Sequence, residues 1–130
     1  MMFLDASAVV GILGGEEDAD RLIARLERAT TPLTISPLAV MESVLGLHRA
    51  KGISIEDAEG LVGDFMNVLN VRNVSITPEI GRRAIRARSE FGRPHKADLN
   101  MGDCFAYACA KNYDLPLLYK GNDFAHTDLG

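Results

Sequence analysis

The stretch from Asn100 to Lys111 constrains this chain more than any other. No residue between Asp103 and Lys111 is charged, and three of them are alanines. A helix exposed on one side would show a polar face here. The run therefore reads as a helix buried on nearly all sides, with small residues that let neighbouring backbones come close. Asn100 is a good N-cap residue, and Asp103 stands where the acid of a capping box would stand. Its carboxylate lies at the positive end of the helix dipole, where free N–H groups favour the ionised form. Taken alone, the stretch is a core helix with an acidic cap.

The rest of the chain alternates short apolar runs with helical patterns. Met2–Leu4 reads as a first strand ending at Asp5, and Ser7–Leu13 as a short helix stopped by Gly14-Gly15. Glu16–Ala29 carries an apolar stripe at helical spacing. Leu33–Ser36 is a second strand, and Ser36-Pro37 opens a helix that runs to about Ala50 and ends at Gly52. Ser54 and Asp57 resemble another capping box, with apolar residues following at helical spacing. Asn73–Ile76 reads as a strand, Thr77-Pro78 as the start of a helix to about Phe91, Gly92–Leu99 as a loop, and Pro116–Tyr119 as the last strand. Gly121–Gly130 is turn-rich. This alternation predicts an α/β fold with a mostly parallel central sheet flanked by helices on both faces. The 130 residues suffice for one domain, 1–130, with a real core, and are too few for two.

Composition narrows the class. Charged and apolar fractions are ordinary for a soluble globular protein. The net charge of -4 excludes a bulk nucleic-acid binder, so any contact with nucleic acid needs a local basic patch. Cys104 and Cys109, five apart on one helix, point to different faces and should not bridge each other. Two buried thiols suit a reducing cytoplasm. The N-terminus has no basic region of a signal peptide, and no apolar run is long enough to span a membrane.

In a parallel sheet the carboxyl ends of the strands and the starts of the following helices share one edge. Asp5 ends strand one. Glu42 lies in the second turn of the helix after strand two. Asp103 lies in the first turn of its helix, and Asp123 just past the last strand. The sequence scatters these acids and the topology collects them. Each has a plainer explanation: Asp5 and Asp103 as helix caps, Glu42 as a solvated helix charge, Asp123 as a turn residue. Like charges gathered in one cleft must be offset, however, and a cation does so. An all-oxygen set suits a hard ion such as Mg²⁺ or Mn²⁺ and not Zn²⁺. Ser7 either orients the Asp5 carboxylate or holds a metal-bound water, or is simply a small residue at a helix start. His48, His95 and His126 share no ligand spacing and read as surface residues.

Four segments carry a family resemblance: Phe3-Leu4-Asp5-Ala6-Ser7-Ala8, Val40-Met41-Glu42-Ser43-Val44, Asn100 to Ala108, and Tyr119-Lys120-Gly121-Asn122-Asp123-Phe124. In this order they resemble the acidic motifs of PIN domains, most nearly those of VapC toxins of bacterial toxin–antitoxin pairs. The resemblance covers essentially the whole chain. It implies an Mg²⁺- or Mn²⁺-dependent endoribonuclease with Asp5, Glu42, Asp103 and Asp123 as its catalytic, metal-binding tetrad. It further implies inhibition by a VapB-like antitoxin, a homodimer, and contact with operator DNA only through that antitoxin. Asp98 and Asp128 are supporting acids near the motifs, and either Asp123 or Asp128 stands closer to the metal.

RNA must then be drawn to an acidic protein. Arg82, Arg83, Arg86, Arg88, Arg93 and Lys96 are six of the fourteen Lys and Arg residues, on one helix and the loop leading to Asn100. They are the best electrostatic candidates for RNA contact, set against a merely solvated helix face. Rival readings fit less well. A receiver-type signalling domain wants paired acids after strand one and a phospho-accepting Asp after the central strand, and only Lys120 suits it. A haloacid-dehalogenase-type phosphatase wants an Asp where Ser7 stands. A PIN-fold binding module without catalysis is separated only by metal-dependent cleavage of RNA.

Overall fold

In the computed structural model, which describes residues 1–130, the apolar run Met2–Leu4 forms strand β1 between two partners. On one side lies β2 (Leu33–Ile35), and on the other β4 (Leu117–Leu118); β3 (Arg72–Asn73) extends the sheet beyond β2. Phe3 stands opposite Thr34 and Leu117, and every pairing is parallel. The sheet expected to be mostly parallel is parallel throughout.

Parallel strands need long crossovers. Helices α1 (Ala6–Leu13) and α2 (Ala19–Glu27) connect β1 to β2, and α3 (Pro37–Lys51) and α4 (Ile55–Val68) connect β2 to β3. Helices α5 (Pro78–Phe91) and α6 (Met101–Asn112) carry the chain back to β4. The first two crossovers step away from β1 in one direction and the third steps in the other. With the usual right-handed connection they occupy opposite faces. Side chains alternate accordingly along β1. Met2 and Leu4 pack with Val9, Leu22, Leu47 and Val62, whereas Phe3 packs with Ile80, Leu99 and Cys109 beneath α5 and α6. Full burial of side chains such as Phe3, Leu4 and Ile80 contributes about 1.5–3 kcal/mol each.

Helix α6 has no exposed residue from Gly102 to Ala110, as its missing polar face required. Its capping box is complete: Asp103 N donates to Asn100 Oδ1 (2.9 Å) and Asn100 N to Asp103 Oδ2 (3.1 Å). Cys104 and Cys109 are buried free thiols. Ser36, Ser54 and Thr77 cap α3, α4 and α5. No helix is long and apolar enough to cross a membrane.

Some boundaries differ from the sequence pattern. β3 is Arg72–Asn73 and exposed, not Asn73–Ile76. Val74 N still donates to Ile35 O (2.7 Å), but the chain then leaves the sheet to reach the cap at Thr77. A short strand is one way a protein blunts a sheet edge. α2 starts at Ala19, after a turn at Glu17–Asp18, rather than at Glu16.

Candidate active site at the carboxyl edge of the sheet

Because the chain leaves β1 toward β2 on one side and returns as β4 on the other, the carboxyl end of β1 is the switch point of the sheet, where α/β folds open a crevice. Asp5 stands there as the N-cap of α1 and is 5% exposed. Its Oδ2 accepts from Ser7 N (3.1 Å) and from Ser7 Oγ. Ser7 Oγ in turn accepts from Lys120 N (2.9 Å). One hydroxyl therefore fixes the orientation of Asp5 and clasps the segment after β4 to the start of α1.

Glu42 reaches the same crevice from α3, and Asp103 from the first turn of α6. With Asp5, Ala6, Ser7, Val10, Leu45 and Arg49 they line a cleft of about 320 Å³. Glu42 lies directly over α6. A Cβ built on Gly102 would stand 1.9 Å from Glu42 Oε2, so only glycine leaves room for that carboxylate. Gly46 similarly admits Val10, since a Cβ there would lie 2.9 Å from Val10 Cγ2, and this lets α3 sit close against α1.

The electrostatics tie the fourth acid, Asp123, to Asp103 and Asp5; Asp123 does not line the cleft itself. Burial pushes the Asp103 carboxyl up to about 7, against the lowering bond from Asn100 N–H, and the charges of Asp123, Asp5 and Glu42 add to the rise. Burial likewise raises Asp5; the bonds from Ser7 hold it down, and the Asp123 charge raises it. Glu42 is raised by burial and then by Asp5. Asp123 itself is exposed, in the turn anchored by the buried Phe124, whose ring meets Tyr119 edge-on at 5.1 Å.

These residues fit a hard divalent ion. All donors are carboxylate oxygens, and none of the four acids pairs with a Lys or Arg. Asp5 and Asp103 each spend one oxygen, Oδ2, on a local bond and leave Oδ1 free. No three of them form a ready-made metal cage.

The remaining candidates are placed elsewhere. Asp128 accepts from Tyr107 Oη (2.6 Å) and Lys111 Nζ (2.7 Å), bonds that hold its carboxyl below the usual range. Asp98 pairs with Arg93 at 3.3 Å in the loop before α6. Arg83 and Arg86 border a hollow with Tyr107 and Lys111, toward the far end of α6 from Asp103. Arg88 donates to the Leu99 carbonyl, and Arg82 and Lys96 are exposed. None of these side chains lines the acid cleft. The cleft's own cation is Arg49, and its space-making residue is Gly102; neither was singled out from sequence. The signal for Gly102 was present, since a glycine in the first turn of a well-capped helix has no local purpose. The histidines stay outside: His48 Nδ1 meets the Ile53 carbonyl, His95 packs on Phe91, and His126 is exposed.

A parallel sheet with acids converging at its switch point defines a class, and comparison with known proteins agrees: the chain belongs to the PIN-domain family, whose profile matches residues 2–129. Its relatives within that family are VapC ribonucleases. One from Rhizobium meliloti (strain 1021) is 42% identical, the match covering 100% of both chains. Ribonuclease VapC42 of Mycobacterium tuberculosis is 32% identical over 98% of this chain and 96% of its own. Among solved structures, Mycobacterium tuberculosis VapC20, described as a sarcin-ricin loop cleaving toxin, superposes with a TM-score of 0.77 at 15% identity. It covers 96% of this chain and 93% of its own. A toxin–antitoxin complex from Klebsiella pneumoniae gives 0.72 at 20% identity, over 99% of this chain and 94% of that one.

Proposed function

We propose that this protein is a VapC-type toxin: an endoribonuclease that hydrolyses RNA phosphodiester bonds with Mg²⁺ or Mn²⁺ held by Asp5, Glu42, Asp103 and Asp123. The observation that carries the reading is the convergence of Asp5, Glu42 and Asp103 from three separated segments, without an ion-pair partner, at the switch point of a PIN-family sheet, with Asp123 in the turn beyond β4 acting on Asp5 and Asp103 through its charge. When bound, such an ion activates a water and stabilises charge on the phosphate. The chain's own part is positioning. Ser7 orients Asp5, Asn100 aims Asp103, and Gly102 leaves space for Glu42. Asp128, held by Tyr107 and Lys111, is the less favoured fourth acid. Purified protein is expected to cut single-stranded or looped RNA with Mg²⁺ or Mn²⁺ and to stop when EDTA is added. Cleavage that persists in EDTA would refute the metal mechanism.

The partner in this reading is a small VapB-like antitoxin that places an Arg or Lys among the acids. An apolar groove of about 440 Å³ runs between α1, α2 and α4, bordered by Ile12, Ile23, Leu61, Phe65 and Val68. Helix α1 carries this groove at its last turn and the acid cleft at its first, roughly 10 Å apart. An amphipathic helix seated in the groove would therefore deliver a following basic residue to the cleft. Val68→Glu is expected to lose capture of the co-expressed antitoxin while RNA cleavage survives. Equal capture by the variant places the partner elsewhere. Homodimerisation belongs to the same reading, through the apolar face around the exposed Ile85 and Met101. An Ile85→Glu protein that sediments like wild type would remove that face.

A further inference from the structure

Of the fourteen lysines and arginines, Arg49 alone lines the acid cleft, and several others are already paired. Lys120 is held by Glu16 (2.8 Å), Lys111 by Asp128 (2.7 Å), and Arg93 by Asp98 (3.3 Å). Arg49 lines the acid cleft itself, is exposed, and makes no ion pair. It follows Glu42 by seven residues on α3, which puts both on one helical face, about 10 Å apart along the axis. That offset explains why the guanidinium stays free of the Glu42 carboxylate.

We propose that Arg49 binds an RNA phosphate neighbouring the one that is cut. The proposal rests on the ribonuclease reading and adds the residue that draws RNA into the cleft. A cleft lined by carboxylates repels a polyanion, and an ion held among the acids offsets only the repulsion at its own position. A guanidinium at the rim supplies the attraction one step along the strand, with two parallel donors that match a phosphate. Of the α5 arginines, Arg83 and Arg86 stand beside Tyr107 and Lys111, and Arg88 donates to the Leu99 carbonyl; none lines the cleft.

The test uses Asp5→Asn protein, which keeps a capping side chain and should bind RNA without cutting it. In that background Arg49→Gln is expected to weaken binding of a short fluorescein-labelled single-stranded RNA about three- to tenfold at low salt. The slope of log Kd against log salt should fall by about 0.7, the share of one phosphate on a single strand. Arg25→Gln, the same charge change at an exposed site on α2, should alter neither. Unchanged affinity and slope in Arg49→Gln, or an equal effect of Arg25→Gln, overturns the proposal. Wild-type cleavage with Mg²⁺ is measured alongside. A wild type that cuts, with Arg49→Gln binding normally, removes Arg49 alone; a wild type that never cuts removes the ribonuclease reading and with it a cut phosphate for Arg49 to neighbour.

Discussion

At the scale of single residues, the site depends on an atom that is missing. Gly102 carries no Cβ, and Glu42 Oε2 occupies the place where one would lie. In Gly102→Ala the Glu42 carboxylate must swing away. It is the end of a flexible side chain, so the fold should tolerate this. Alanine is also the better helix former, by up to about 1 kcal/mol in a helix interior and less in the first turn. The expected variant melts at the wild-type temperature or slightly above it. Mg²⁺ affinity and cleavage should both fall, roughly 10- to 100-fold, as when the support of a metal ligand is disturbed. Metal titration by calorimetry and one cleavage assay check this. Undiminished metal affinity would mean that Glu42 is not a ligand in the position it occupies here.

At the scale of elements, a side-chain hydroxyl joins the ends of the neighbouring strands β1 and β4. Ser7 Oγ donates to Asp5 and accepts from Lys120 N, linking α1 to the segment after β4. Ser7→Ala leaves the Lys120 N–H without its partner and strips Asp5 of the side-chain bond that most lowers its pKa. Stability should fall by about 1–3 kcal/mol, and Ser7→Thr should restore most of it. A urea midpoint for Ser7→Ala equal to that of wild type would show that the clasp holds nothing. Sequence exposed one end of this arrangement and hid the other. Asp5-Ala6-Ser7 is a local pattern, so a serine orienting the acid was a readable option; Lys120 lies across the sheet, and no periodicity reports that distance. The same limit explains the basic residues. Arg82 to Lys96 are neighbours in the chain, but α5 lies alongside α6, and this takes Arg83 and Arg86 toward Lys111 and away from Asp103. Helix α6 was legible for the opposite reason. Its capping box and uncharged run are local facts, and burial on all sides follows from them without knowing the neighbours.

At the scale of the whole molecule, the parallel topology was readable from the alternation of elements, and it alone was enough to bring Asp5, Glu42 and Asp103 to one edge. The consequence is a fold that stores like charge at its switch point, and its pH dependence should show this. Asp103 has a folded pKa of about 7 against an ordinary 3.8, and Asp5 and Glu42 are raised as well. An acid with a raised folded pKa binds its proton more tightly in the folded state. Its contribution is complete below its unfolded pKa and is lost as pH rises through its folded value. The metal-free protein should therefore be more stable at pH 5 than at pH 8, by on the order of 2–4 kcal/mol. Asp128 has the opposite sign, because its pKa is lowered; its contribution is lost only as pH falls below the ordinary carboxylate range, outside this window. Asp103→Asn removes the largest part of the effect. Asparagine still caps the helix start, so at pH 8 the metal-free variant should equal or exceed wild type in stability. Mg²⁺ should then raise the wild-type midpoint at pH 8 and barely move the variant's, since a ligand stabilises only as far as it binds the native state. Urea midpoints of both proteins at the two pH values, with and without Mg²⁺, decide the matter. A metal-free wild type whose stability is flat or rises from pH 5 to pH 8 would mean that the acids do not strain the fold. A variant that gains as much from Mg²⁺ as wild type would take Asp103 out of the metal site.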